Sequence, residues 1–167
     1  MKFFLRQSSS FLAPIFFCII FPYLIIAGRH RESEINPTAF LVVLGGAVCL
    51  AGLVLFILSV RMLILIGNGT IMPWDPSRKL VTGSLYGYVR NPMILSLIII
   101  LAGEALLFDS IWLAVLGLAF FIINTVYFQF SEEPGLEKRF GQEYVEYKKH
   151  VPRWIPNLKP WHPGMDV

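Results

Sequence analysis

Two neighbouring carboxylates, Glu132 and Glu133, stand at the end of an apolar run, with Pro134 directly after them. Acids at a membrane surface are costly unless a cation or a hydrogen-bond donor meets them, so the pair marks a place that needs a partner. Downstream, Phe140-Gly141, Tyr144 and Tyr147 follow at helical spacing. Upstream, the stretch from Lys79 to Pro92 (KLVTGSLYGYVRNP) carries complementary chemistry. Arg90 supplies a fixed charge in a planar fork. Asn91-Pro92 reads as a helix start, where proline is tolerated and free backbone N–H groups favour anions. A capped helix with a snorkelling arginine is the plain alternative for this turn. Tyr86, Tyr88 and Tyr144 offer ring faces to a purine or a cation. The carboxylates accept from ribose hydroxyls or pair with an ammonium.

Such residues need elements to position them. The chain is 56% hydrophobic and 15% charged, with a mean hydropathy of +0.65. Soluble domains hold about 45–50% apolar and roughly 25% charged residues, which excludes an ordinary soluble enzyme and points to one compact membrane domain. Four runs approach the length of about 17–25 apolar residues that crosses a bilayer: Phe11–Ala27, Ala39–Ile66, Met93–Phe108 and Ile111–Phe130. Lys2 and Arg6 precede the first run, as in a secretory signal. However, Gly28-Arg29-His30-Arg31 is a poor cleavage site and Pro14 and Pro22 interrupt the run, so it reads as a retained helix. The third run reaches spanning length once Arg90–Pro92 and Asp109 are added at its ends.

Lysine and arginine counts set the orientation. With an even number of spans, Lys2, Arg6, Arg61, Arg78, Lys79, Arg90, Lys138, Arg139, Lys148, Lys149, Arg153 and Lys159 share one side, opposed only by Arg29 and Arg31. Both termini and the Gly67–Pro92 loop are therefore expected in the cytoplasm. The net charge of +3 reflects this rule and attraction to anionic lipid, with no sign of nucleic-acid binding. Arg61 reads as an interfacial anchor. Asp109-Ser110 joins the last two runs as a tight hairpin, and Pro134 is expected to end the fourth span. A surface helix should follow, with Leu136, Phe140, Tyr144, Tyr147 and Val151 on one stripe, lying on the membrane or packed over a cavity mouth. Pro152 ends it, Trp154 and Trp161 read as interfacial anchors, and the tail from Asn157 reads as irregular.

Known catalytic patterns are absent: there is no HExxH, GxSxG, Walker loop or CxxC. Gly67 and Gly69 lack the third glycine of a nucleotide fingerprint. Cys18 and Cys49 sit inside apolar runs and read as buried packing. His150 reads as a solvated residue. Glu104, inside the third span, reads as structural, since it lies near the end away from the cluster. The two polar segments together suit a ligand bearing carboxylate, ammonium, ribose and sulfonium groups, and S-adenosylmethionine is such a molecule.

The residues Leu80-Val81-Thr82-Gly83-Ser84-Leu85-Tyr86, then Arg90-Asn91-Pro92, a hairpin, and Glu132-Glu133, Leu136, Phe140-Gly141, Tyr144 and Tyr147 form an ordered pattern. It resembles that of the membrane-embedded isoprenylcysteine carboxyl methyltransferases and their phospholipid N-methyltransferase relatives, over about residues 67–156. The resemblance implies an all-α, integral membrane four-helix bundle with a cytoplasmic loop and a C-terminal interfacial helix. It divides the chain into two N-terminal helices (1–66), a methyltransferase core (67–156) and a tail (157–167). It further implies S-adenosylmethionine as the methyl-donor cosubstrate and a lipid or lipidated acceptor reached from the bilayer. Cofactor binding is carried over to Arg78, Lys79, Leu80, Val81, Tyr86, Asn91, Pro92, Met93, Ile94 and Glu132, with Arg90 and Glu133 in support. No metal is implied, and no catalytic base can be assigned.

Three departures bear on this. Asn91 stands where the family has histidine, Met93 and Ile94 replace a small residue and a tyrosine, and Phe128 occupies the place of an arginine linked with prenylcysteine recognition. The expected reaction is methyl transfer to a membrane-borne substrate. Lipid-amine N-methylation, a non-catalytic membrane scaffold and a membrane oxidoreductase remain as rivals.

Overall fold

The computed structural model of the chain describes residues 16–29, 37–67 and 79–163. A π-helical turn, Phe16–Ile20, leads into α1 (Phe21–Arg29); α2 covers Ala39–Gly67, α3 Leu85–Tyr88, α4 Pro92–Leu107 and α5 Ile111–Tyr127. A second π turn, Phe128–Glu132, is followed by α6 (Glu133–Phe140) and α7 (Gln142–His150). No strand occurs among the described residues, so the fold is all-α as expected.

Among the described residues two helices are long and apolar enough to cross a membrane: α2, and the continuous stretch Ile111–Phe140. The helices Phe16–Gly28 and Pro92–Leu107 are apolar but shorter. In α2, Phe40, Val43 and Leu65 each leave more than two thirds of their surface uncovered. An apolar surface of this extent suits contact with lipid tails. From Ile111 to Phe130 the helix rises about 30 Å, the thickness of the hydrocarbon core. Ser131, Glu132 and Glu133 follow as the first polar run after it.

The chain divides into two compact units. One comprises the chain through Leu55 together with Ser96–Ile123. Its seam is built from residues too small to separate two helices. A Cβ on Gly45 would lie 2.5 Å from the Leu107 nitrogen and 2.7 Å from the Gly103 oxygen. One on Gly103 would lie 2.6 Å from Cys49 Sγ, and one on Gly52 would lie 3.0 Å from the Ser96 oxygen. In lipid there is no hydrophobic drive between helices, so this backbone approach supplies the association. Cys18 is buried, as read from the sequence, whereas Cys49 is half-buried and donates its thiol to the Ile100 carbonyl at 3.6 Å. The α4–α5 turn closes through Ser110 N–H to the Ala105 carbonyl at 2.9 Å. Leu101 and Leu113 are wholly buried, and the Phe17 ring meets Phe120 at 5.1 Å.

The other unit comprises Phe56–Leu95 and the chain from Asn124. Here the expected end of the fourth span at Pro134 is corrected. The helix runs on to Phe140, and the break falls at Gly141, where φ is +58°. Proline removes one helical N–H and its ring crowds the carbonyl four residues back. The π turn relieves this: Glu133 N–H bonds to the Phe128 carbonyl five residues back, and Pro134 then sits in the first turn of α6. Gly141 reverses the chain because glycine takes positive φ at little cost. The apolar stripe is thus divided between α6 and α7, and it faces protein. Tyr144, Tyr147 and Val151 are buried together, with Leu136, Phe140, Leu80 and Trp161 packed against them.

Candidate functional site

Loop and helix ends bring the polar segments together inside the second unit. Lys79 N–H bonds to the Gly67 carbonyl at 3.3 Å, so the chain leaves and re-enters at one point. Arg78 lies outside the described residues. Lys79 is exposed, Leu80 half-buried and Val81 buried. Ser84, at φ 52°, turns the chain into the short helix α3. Tyr86 is buried there, and Tyr147 Oη donates to its carbonyl at 2.7 Å. Asn91 enters through its backbone: its carbonyl accepts from Leu95 N–H at 3.0 Å and so opens α4. Pro92 is buried, and Asn91, Met93 and Ile94 are half-buried.

The carboxylate pair splits in two. Glu133 is buried and both its oxygens are taken. Oε1 accepts from Arg90 Nη1 at 3.0 Å and from Arg153 Nε at 2.7 Å, while Oε2 pairs with Lys148 Nζ at 3.2 Å. Lys148 also reaches Glu137 at 2.8 Å. Arg90 Nη1 lies 3.5 Å from the Tyr144 hydroxyl oxygen. Glu132 is half-buried; its charge acts on the Tyr86 phenol, and the charge of Arg139 acts on it.

These environments set the proton positions. Burial would raise Glu133, but hydrogen bonds and charge from Arg153, Arg90 and Lys148 outweigh it and hold the carboxyl below its ordinary 4.5. For Glu132, burial and then the charge of Glu133 push the carboxyl up to about 7, against the opposing pull of Arg139. Burial first, and nearby acids second, raise the Tyr86 and Tyr144 phenols, the latter to about 12. Both stay protonated donors at neutral pH. Because folding depresses Glu133, its ion pairs stabilise the folded chain fully above pH 4.5 and are lost as pH falls through the lowered value. The thermal midpoint in detergent is expected to drop as pH falls below 4.5, with a flatter dependence in Glu133→Gln.

Arg90 therefore meets one acid of the pair, Glu133, so the two polar segments come together as the sequence suggested. Arg153 was not singled out as a site residue, although an arginine lodged between Pro152 and Trp154 was visible. Trp161 and His150, read as membrane anchor and solvated residue, stack on each other at 5.3 Å; Trp154 faces Phe128 edge-on at 5.9 Å. These rings were expected at the interface or in water, and they pack within the unit because the irregular tail folds back over α7. Among the described residues no group of three or more His, Cys, Asp or Glu is placed to hold a metal ion.

The arrangement suits a zwitterionic, hydroxyl-bearing ligand: a half-buried carboxylate able to accept hydrogen bonds or meet a cation, protonated phenols, and an arginine held in place. The phospholipid methyltransferase family model matches residues 40–143. An uncharacterized protein of Haemophilus influenzae (strain Rd) is 44% identical over 64 residues, 38% of this chain and the whole of that protein. No solved structure matches the chain.

Proposed function

The chain belongs to the phospholipid methyltransferase family, and from that premise we propose that it transfers a methyl group from S-adenosylmethionine to a membrane-borne acceptor. Membrane association follows from the family and from the two spanning helices. We further propose a multi-pass topology with both termini and the site in the cytoplasm, and residues 67–156 as the catalytic core, preceded by two helices and followed by the tail.

The observation that carries the reading is the joining of two separate motifs through Arg90 and Glu133, at 3.0 Å. In this reading Glu132, whose oxygens are not held by the arginines, accepts from ligand hydroxyls and Tyr86 lines a nucleoside. Lys79 to Val81, Tyr86, Asn91 to Ile94 and Glu132 would hold the donor, together with Arg78. Arg90 and Glu133 act in support, since the oxygens of Glu133 are engaged. Asn91 retains a donor and an acceptor where the family has an imidazole. When bound, the donor supplies an electrophilic methyl on a sulfonium, so no covalent enzyme intermediate is needed. The chain's share is alignment: fixed polar groups hold the reacting partners in attack geometry. A carboxylate acceptor needs no base; an amine must arrive neutral.

The isoprenylcysteine-like acceptor was the first expectation. The lipid-amine reading draws on Phe128, which is buried against Trp154 where prenylcysteine-type enzymes carry arginine. It accords with membership of the phospholipid methyltransferase family. Binding of labelled S-adenosylmethionine to purified protein in detergent tests the common part. Glu132→Ala is expected to weaken that binding by about tenfold or more, as expected for loss of a hydrogen bond to a charged group. Indifference to the substitution, or no binding, would instead favour a scaffold, and nicotinamide binding an oxidoreductase. Label recovered in membrane lipids identifies the acceptor class.

A further inference from the structure

We infer that Pro152–Trp161 is a strap that positions the donor-binding turn, with Arg153 as its positioning residue; the inference rests on the donor reading above. Three backbone hydrogen bonds tie this segment to the turn that carries Tyr86 and Arg90. Arg90 N–H donates to the Pro152 carbonyl at 2.9 Å, Asn157 N–H to the Tyr88 carbonyl at 2.9 Å, and Trp161 N–H to the Gly87 carbonyl at 3.0 Å. Glycine at 87 admits this approach, since a Cβ there would lie 2.8 Å from the Trp161 oxygen.

Arg153 closes the charged end. Its Nε donates to the same Glu133 oxygen that receives Arg90 Nη1. Consecutive strap residues thus grip Arg90 from two sides, its backbone through Pro152 and its guanidinium through the shared carboxylate. With Nη1 so fixed, Arg90 Nε is buried and meets no acceptor among the described residues. The family match ends at residue 143, so the strap lies wholly beyond it.

The test uses the full chain in detergent, with titration of labelled S-adenosylmethionine, acceptor KM, and hydrogen exchange read on peptides covering residues 85–91. Arg153→Ala is expected to weaken donor binding about tenfold, the size of coupling typical of groups sharing one network. Acceptor KM should hold, and exchange over 85–91 should quicken. Arg153→Lys should recover part of the binding, because an ammonium keeps the charge but lacks the fork. Lys159→Ala, which removes an exposed charge of the same segment, should match the wild type. Unchanged donor binding in Arg153→Ala, or unchanged exchange over 85–91, overturns the strap. Absence of donor binding in the wild type overturns the donor reading itself, and the exchange comparison alone then decides whether the strap holds the turn.

Discussion

Replacing Glu133 by alanine is expected to cost about 3–5 kcal/mol, the penalty for leaving a buried charge without its partner. The three cations that share this carboxylate are not equally exposed. The Lys148 side chain is 40% exposed and can return to water, and Arg153 is 19% exposed. Arg90 is only 9% exposed, so its charge is the one stranded. The loss should therefore be governed by Arg90, and a second substitution can show it. Glu133→Leu combined with Arg90→Met removes both charges and keeps apolar volume, which is often nearly neutral. The pair should be more stable than Glu133→Ala alone when unfolded by heat or by titration with SDS in micelles. A double variant weaker than the single one would mean that the network is held by contacts other than this pair.

Gly45→Ala is the second large effect, expected at about 3 kcal/mol or more, above the usual range for an overpacked methyl. The added carbon would meet backbone at 2.5 and 2.7 Å, and backbone cannot swing aside as a side chain does. The two helices must part along the seam. Gly46→Ala is the control, one residue along the same helix with nothing within 4 Å of its new carbon. It should be neutral or stabilising by up to about 1 kcal/mol, from helix propensity alone. Equal behaviour of the two variants in SDS titration would remove the seam as a source of helix association.

Elements set by hydrophobic run length were legible in the sequence. Ala39–Ile66 was expected and Ala39–Gly67 is found; Met93–Phe108 was expected and Pro92–Leu107 is found. The meeting of Arg90 and Glu133 was legible too, because two acids at an interface require cations. The glycine seam was not, since glycine inside an apolar run leaves no mark on a hydrophobicity pattern; its signal was the spacing of Gly45, Cys49 and Gly52. Pro134 misled because a proline in the first turn of a helix and one that stops a helix look alike without the turn before it. The strap was hidden for a different reason. Its backbone pairs join residues some seventy positions apart, as between Asn157 and Tyr88, and no local propensity encodes such a partner.

The wide turn at Phe128–Glu132 also acts on azimuth. It takes up one residue more than an α-turn, so a residue beyond it lies roughly 100° from where an unbroken α-helix of the same sequence would put it. That rotation decides which of two chemically identical neighbours, Glu132 or Glu133, is aimed at the arginines. Identity of side chain does not distinguish the two acids; phase does.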